Sequence, residues 1–160
     1  MTFSMIRFVS WATLCSASLT WTPVVARGIG ERLPSLTVQN QHQKAWGWND
    51  STRLVILAKG RALTHWVMDV VGPQGQGFLS SRQAVYLADM SKMPGLITRT
   101  VALPALREQP FDLGVVMEDK ALTAWPQQAD TMTLIHLDHS RVVRHELVTD
   151  AAGLRRALGL

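Results

Sequence analysis

The sequence predicts an α/β fold built on one mixed sheet flanked by helices. Three observations carry the prediction. Two continuous apolar runs, Leu54–Ala58 and Ala84–Ala88, have the pattern of strands covered on both faces. Between them Leu63, Trp66, Val67 and Val70 recur at helical spacing and give one apolar face. Near the end, two strand-like segments flank Asp138-His139-Ser140-Arg141, a hairpin signature.

Taken in order, Leu33 to Val38 alternates apolar and polar residues and reads as a short edge strand, a place that tolerates Pro34. The polar stretch Gln39 to Asp50, with Trp46 and Trp48, reads as a turn or hairpin. Leu54–Ala58 is the first buried strand, and Lys59-Gly60-Arg61 turns the chain into the first helix. Gly72 to Gly77 ends that helix in a loop. Ala84–Ala88 is the second buried strand, closed by Asp89. Pro94 suits the first position of a helix. Leu96, Ile97, Val101 and Leu103 continue that helix, and Pro104 is expected to stop it. Leu113–Met117 is a third strand, followed by Glu118-Asp119-Lys120 and a turn through Ala124-Trp125-Pro126. Thr131–Leu137 and Val142–Val148 form the hairpin, and Asp150 can cap a last helix carrying Leu154, Ala157 and Leu158. The strand-helix-strand units wind right-handed and give parallel strands, whereas the ending is antiparallel.

Residues 1–26 stand apart. They hold one charge, Arg7, ahead of an apolar run that closes in Val24-Val25-Ala26. A basic start, an apolar middle and a small-residue end make an export signal, with the cut expected after Ala26. A retained anchor would need about 20 well-packed apolar residues. This run is diluted by Ser10, Thr13, Ser16, Ser18, Thr20 and Thr22. A lipid on Cys15 would want a small residue before it, and Leu14 is bulky. Residues 27–160 then form a single domain with no stable membrane insertion, and the expected location is the periplasm.

The chain has 160 residues, 47% of them apolar and 18% charged, which is the balance of a globular protein. Its formal net charge of +4 is spread along the chain, which argues against nucleic acid as a partner. Cutting after Ala26 also removes Cys15, the chain's single cysteine.

The order of elements resembles the thioredoxin-like fold, in the variety seen in exported TlpA-type proteins and peroxiredoxins. The carriers are the Leu33-Pro34-Ser35-Leu36 opening, the Leu54–Ala58 strand feeding a helix, and the Thr131–Asp138 strand turning into Val142–Val148. The resemblance places that family's thiol chemistry where the first strand opens its helix, because a helix N-terminus favours the thiolate. Here the segment reads Lys59-Gly60-Arg61-Ala62-Leu63-Thr64, with no cysteine. The resemblance also implies a proline just before the final hairpin, and Asp130-Thr131-Met132-Thr133 has none. Thiol redox, peroxidase and isomerase activity therefore do not carry over.

Other constellations could carry different chemistry. Lys59 and Arg61 flank a helix N-terminus, which together could hold an anion. Asp89 follows its strand directly, where ligands of open sheets gather, and capping the turn Asp89-Met90-Ser91 accounts for it equally well. With a two-residue turn, His136 pairs with Val143 and His145 with Leu134, making the two histidines diagonal neighbours that could share a metal. Gly72 to Gly77 follows a helix, unlike a dinucleotide fingerprint, and the sequence implies no cofactor. Trp46, Trp48, Trp66 and Trp125 could include an exposed aromatic patch for a partner.

These readings converge on an exported, non-catalytic protein that binds an envelope protein or a small anionic ligand. Its candidate rim is Lys59, Gly60, Arg61, Asp89, Thr131 and Met132. The alternative is an enzyme of non-thiol chemistry, with Asp89 or a histidine as acid, base or metal ligand.

Overall fold

Period-two burial, set by the apolar runs, organises one sheet that carries the whole molecule. The computed structural model describes residues 28–128 and 130–160. The expected export signal lies outside the described residues. Among the described residues seven strands run β1 (Val38–Asn40), β2 (Ala45–Trp46), β3 (Leu54–Lys59), β4 (Ala84–Asp89), β5 (Gly114–Val116), β6 (Met132–Asp138) and β7 (Arg141–Val148). Their spatial order is β2-β1-β5-β4-β3-β6-β7. β3, β4 and β5 are parallel, β6 pairs antiparallel with β3, and β7 pairs antiparallel with β6 at the sheet edge. This is the mixed sheet that the sequence predicts.

Alternate residues feed two cores. Leu54, Ile56 and Ala58 of β3 face one side, where α1 (Arg61–Val71) contributes Leu63, Val67, Val70 and Val71. Each such burial contributes about 1.5–3 kcal/mol. Along the chain from α1, α2 (Phe78–Ser81), α3 (Gly95–Ile97), α4 (Leu103–Arg107) and α5 (Ala151–Ala157) follow. Leu79, Leu106 and Leu154 from α2, α4 and α5 join the same core. Val55 and Leu57 face the other side, with Leu87, Ile135 and Leu137. Among the described residues that side is covered by Leu33, by Trp125 and by the short 3₁₀ turn Asp119–Leu122 rather than by a full helix.

Four details differ from the sequence expectation. The first strand begins at Val38, because Leu33 instead packs into the second core while Arg32 bridges to Arg141. The expected loop from Gly72 to Gly77 holds a 3₁₀ turn, Gly72–Gln74. Pro104 does not stop its helix. The turn Thr98–Ala102 widens to π-helical geometry, which absorbs the missing N–H and the ring, and α4 starts anew with Pro104 in its first turn. The final hairpin has the expected two-residue turn, with φ of 47° at His139 and 64° at Ser140. A bulge shifts the register between His136 and Leu137. Asp150 caps α5 as expected, accepting from the Gly153 N–H.

Candidate functional site

The parallel pairing of β3 with β4 brings Lys59 opposite Asp89. Both lie at the carboxyl ends of their strands, the usual edge for ligands in such sheets. The chain then turns through Gly60, whose φ of 82° and ψ of 174° suit only glycine, into α1. The Gly60 N–H donates to the Asp89 carbonyl at 2.9 Å, tying the junction to β4. α1 begins with no side-chain cap and no acid in its first turn.

The pleat divides the expected rim. Lys59 and Asp89 continue the alternation of Leu57 and Leu87, so they point to the second face, away from α1. There Lys59 Nζ lies 3.6 Å from Asp89 Oδ2 and 3.6 Å from Asp119 Oδ1. It also donates to Gln127 Oε1 at 3.3 Å. Lys92 Nζ completes the cluster 2.6 Å from Asp119 Oδ2. Two ammonium groups thus meet two carboxylates. The Lys92 hydrogen bond holds the Asp119 carboxyl below its ordinary range, with Lys59 adding to the effect. Asp89 is buried. Its Oδ1 accepts from the Ser91 N–H at 2.9 Å, and its Oδ2 has no hydrogen-bond partner. The turn-capping expectation for Asp89 therefore holds, and Lys59 is its counter-ion.

Arg61 takes the opposite direction. It is exposed at the start of α1 and makes no ion pair or side-chain hydrogen bond among the described residues. It borders a 250 Å³ cavity between α1 and the Gly95–Arg107 segment, walled by Met68, Met90, Met93, Ile97 and Val101. The anion site expected from Lys59 and Arg61 together is not formed, because Lys59 ends β3 on the second face whereas the turn at Gly60 carries Arg61 into α1 on the first. Met132 is fully buried in the α1-side core and has no surface to offer a ligand. Thr131 is buried and donates to the Gln128 carbonyl.

The histidine expectation is corrected as well. The bulge makes Arg144 the partner of His136 and Ile135 the partner of His145. The two rings then face opposite sides of the sheet and cannot share an ion. His136 instead faces Arg144 at 3.0 Å and Glu146 at 3.8 Å. Burial and the Arg144 charge push its pKa below 6.5, against the pull of Glu146. Among the described residues no group of three His, Cys, Asp or Glu is placed to hold a metal. The aromatic patch is partly internal: Trp125 is buried, with its ring edge-on to Trp48 at 5.1 Å.

Sequence reasoning places Asp119 near a strand end without joining it to Lys59, and it misses Gln127 and the methionine wall. The alternation placing Lys59 and Asp89 on one face is legible in their strands. Asp119 and Gln127 reach that face from an irregular segment that has no periodicity to read. Met90 and Met93 flank a loop, so only the fold brings them to Met68.

No protein-family model and no curated protein sequence matches the chain. Solved structures do match in fold. A protein assigned as a disulfide isomerase from Bacteroides thetaiotaomicron shares 11% identity, over 82% of this chain and 86% of that one, at a TM-score of 0.55. A protein assigned as a thioredoxin from Neisseria meningitidis shares 15%, over 79% and 86%, at 0.52. Peroxidoxin BcpB from Mycobacterium tuberculosis shares 12%, over 82% and 94%, at 0.52. The fold is thioredoxin-like. The chain's single cysteine, Cys15, lies far in sequence from the β3–α1 junction, and no second cysteine exists to pair with it.

Proposed function

We propose that this is an exported, periplasmic protein that works by binding rather than by catalysis. Its contact surface is the rim around the β3–α1 junction, and its partner is another protein of the cell envelope. One observation carries the reading: the junction is built intact, yet Lys59-Gly60-Arg61 stands where a thiol protein of this fold would keep its cysteine. Lys59 is engaged by Asp89 and Asp119 and supports the rim's shape. Arg61 is the charge left to meet a partner. Export rests on the basic, apolar and small-residue order of residues 1–26. Among the described residues no helix is long and apolar enough to cross a membrane.

Site-specific photo-crosslinking in the native host tests this. A photoreactive residue at Ala62, beside the junction, is compared with one at the exposed Gln76, in the loop beyond the far end of α1. The reading expects a defined protein adduct from Ala62 and none from Gln76, on a chain whose intact mass begins at Arg27. Equal adducts from both positions, or none from Ala62, would overturn the binding role. A mass that retains residues 1–26 would overturn the cleaved-signal part of it.

A further inference from the structure

The cavity beside Arg61 has a composition that selects its occupant. Its wall combines three methionines, Met68, Met90 and Met93, with Ile97 and Val101. Thioethers on flexible stems adapt to different apolar shapes and recur at protein-binding surfaces. The apolar character continues to the surface: Ile97 and Val101 of the wall are 40% and 49% exposed, and Leu96, next to Ile97, is 73% exposed. Contiguous exposed apolar surface of this kind marks interaction sites. The π-helical turn Thr98–Ala102 forms part of the same wall, and such turns concentrate at functional sites.

Charge and size narrow the choice. Arg61 borders the cavity, at the uncapped start of an 11-residue helix. The other titratable group on the wall, His65, lies 3.6 Å from Asp69 on its own helix. Arg61 is thus the unmatched charge of the groove, and it is positive. At 250 Å³ the cavity is below the range that encloses a whole small-molecule ligand, roughly 300–1,000 Å³. It suits one or two apolar side chains of a longer segment that continues over Leu96, Ile97 and Val101.

We propose that this groove docks a short apolar segment of a partner protein carrying an aspartate or glutamate. The apolar side chains enter among Met68, Met90 and Met93. The carboxylate pairs with the Arg61 guanidinium and the first free N–H groups of α1. The inference deepens the binding role proposed above and rests on it.

Selection of a displayed random-peptide library on residues 27–160 supplies the probe. Selected peptides are then synthesised and titrated by calorimetry. The proposal expects apolar peptides with one acidic residue. Arg61→Glu should weaken them at least tenfold, and replacing the peptide acid by arginine should restore binding to that variant. Arg61→Glu keeps the fold, since an acid in the first turn of a helix is favoured. Val101→Glu, at a second exposed position, should weaken binding without touching Arg61. Methyl NMR of labelled methionines should shift Met68, Met90 and Met93 on binding. Peptides that carry no acid, that ignore both variants, or that leave these methyls unmoved would overturn the groove. In that case an adduct from Ala62 would still support the binding role. Recovery of no peptide, together with no Ala62 adduct, would overturn both.

Discussion

Removing the Lys59 charge tests whether Asp89 is held as a buried ion. Asp89 has a side chain only 1% exposed, one backbone hydrogen bond from Ser91 and one unpaired oxygen. Lys59 Nζ is the cation within 4 Å of it, at 3.6 Å. At an effective dielectric of about 20 the attraction across that distance is about 4–5 kcal/mol. Removing one partner of a buried pair typically costs about 3–5 kcal/mol. Lys59 is 27% exposed and shares its charge with Asp119, so the lower end applies. Lys59→Met, which keeps the apolar stem, should cost about 3 kcal/mol and lower Tm by about 10 °C. Asp89→Asn removes the carboxylate charge and keeps the acceptor for Ser91. The double variant should therefore lose less than the sum, with a coupling of about 2 kcal/mol. Urea unfolding followed by far-UV circular dichroism measures all four corners of the cycle. A Lys59→Met loss under about 1 kcal/mol, or additive single effects, would refute the buried-ion account.

Two further expectations follow from packing and protonation. A Cβ built on Gly114 would lie 2.5–2.7 Å from the Trp46 ring, so Gly114→Ala should cost about 1–3 kcal/mol and change the tryptophan fluorescence; an unchanged unfolding midpoint would show that the ring moves freely. Burial and Arg144 hold the His136 pKa below 6.5 in the folded chain, so the unfolded chain takes up its proton first as pH falls. The stability tied to neutral His136 is complete above pH 6.5 and is lost as pH drops through the lower, folded pKa. His136→Gln should flatten that part of the stability profile, and an NMR titration placing His136 above 6.5 would contradict the assignment.

Much of the fold was legible because burial repeats along the elements. Val55, Leu57 and Leu87 could be assigned to strands from the apolar run alone, and Leu63, Val67 and Val70 to a helix face. Asp150 announced its helix by the chemistry of capping. The misreadings have local causes. Pro104 looked like a stop, but a π-turn upstream lets the chain resume a helix around it. One extra residue in β7 reversed the face of every following partner, which separated His136 from His145. The rim was legible as a set of strand ends and misleading as a cluster. Neighbouring residues such as Lys59 and Arg61 leave a strand end in opposite directions, and Met132 belongs to the core that its own strand builds. The groove beside Arg61 depends on side chains from α1, from the loop after β4 and from the Gly95–Arg107 segment. No single stretch of sequence signals it.

The claim that the β3–α1 junction has left thiol chemistry is tested most directly by turnover. Dithiothreitol-driven reduction of insulin disulfides and of hydrogen peroxide should be measured on the secreted chain isolated from its own envelope. The account predicts rates equal to the protein-free background, unaffected by a thiol-alkylating reagent. Turnover that alkylation abolishes, from a chain still carrying Cys15, would contradict it.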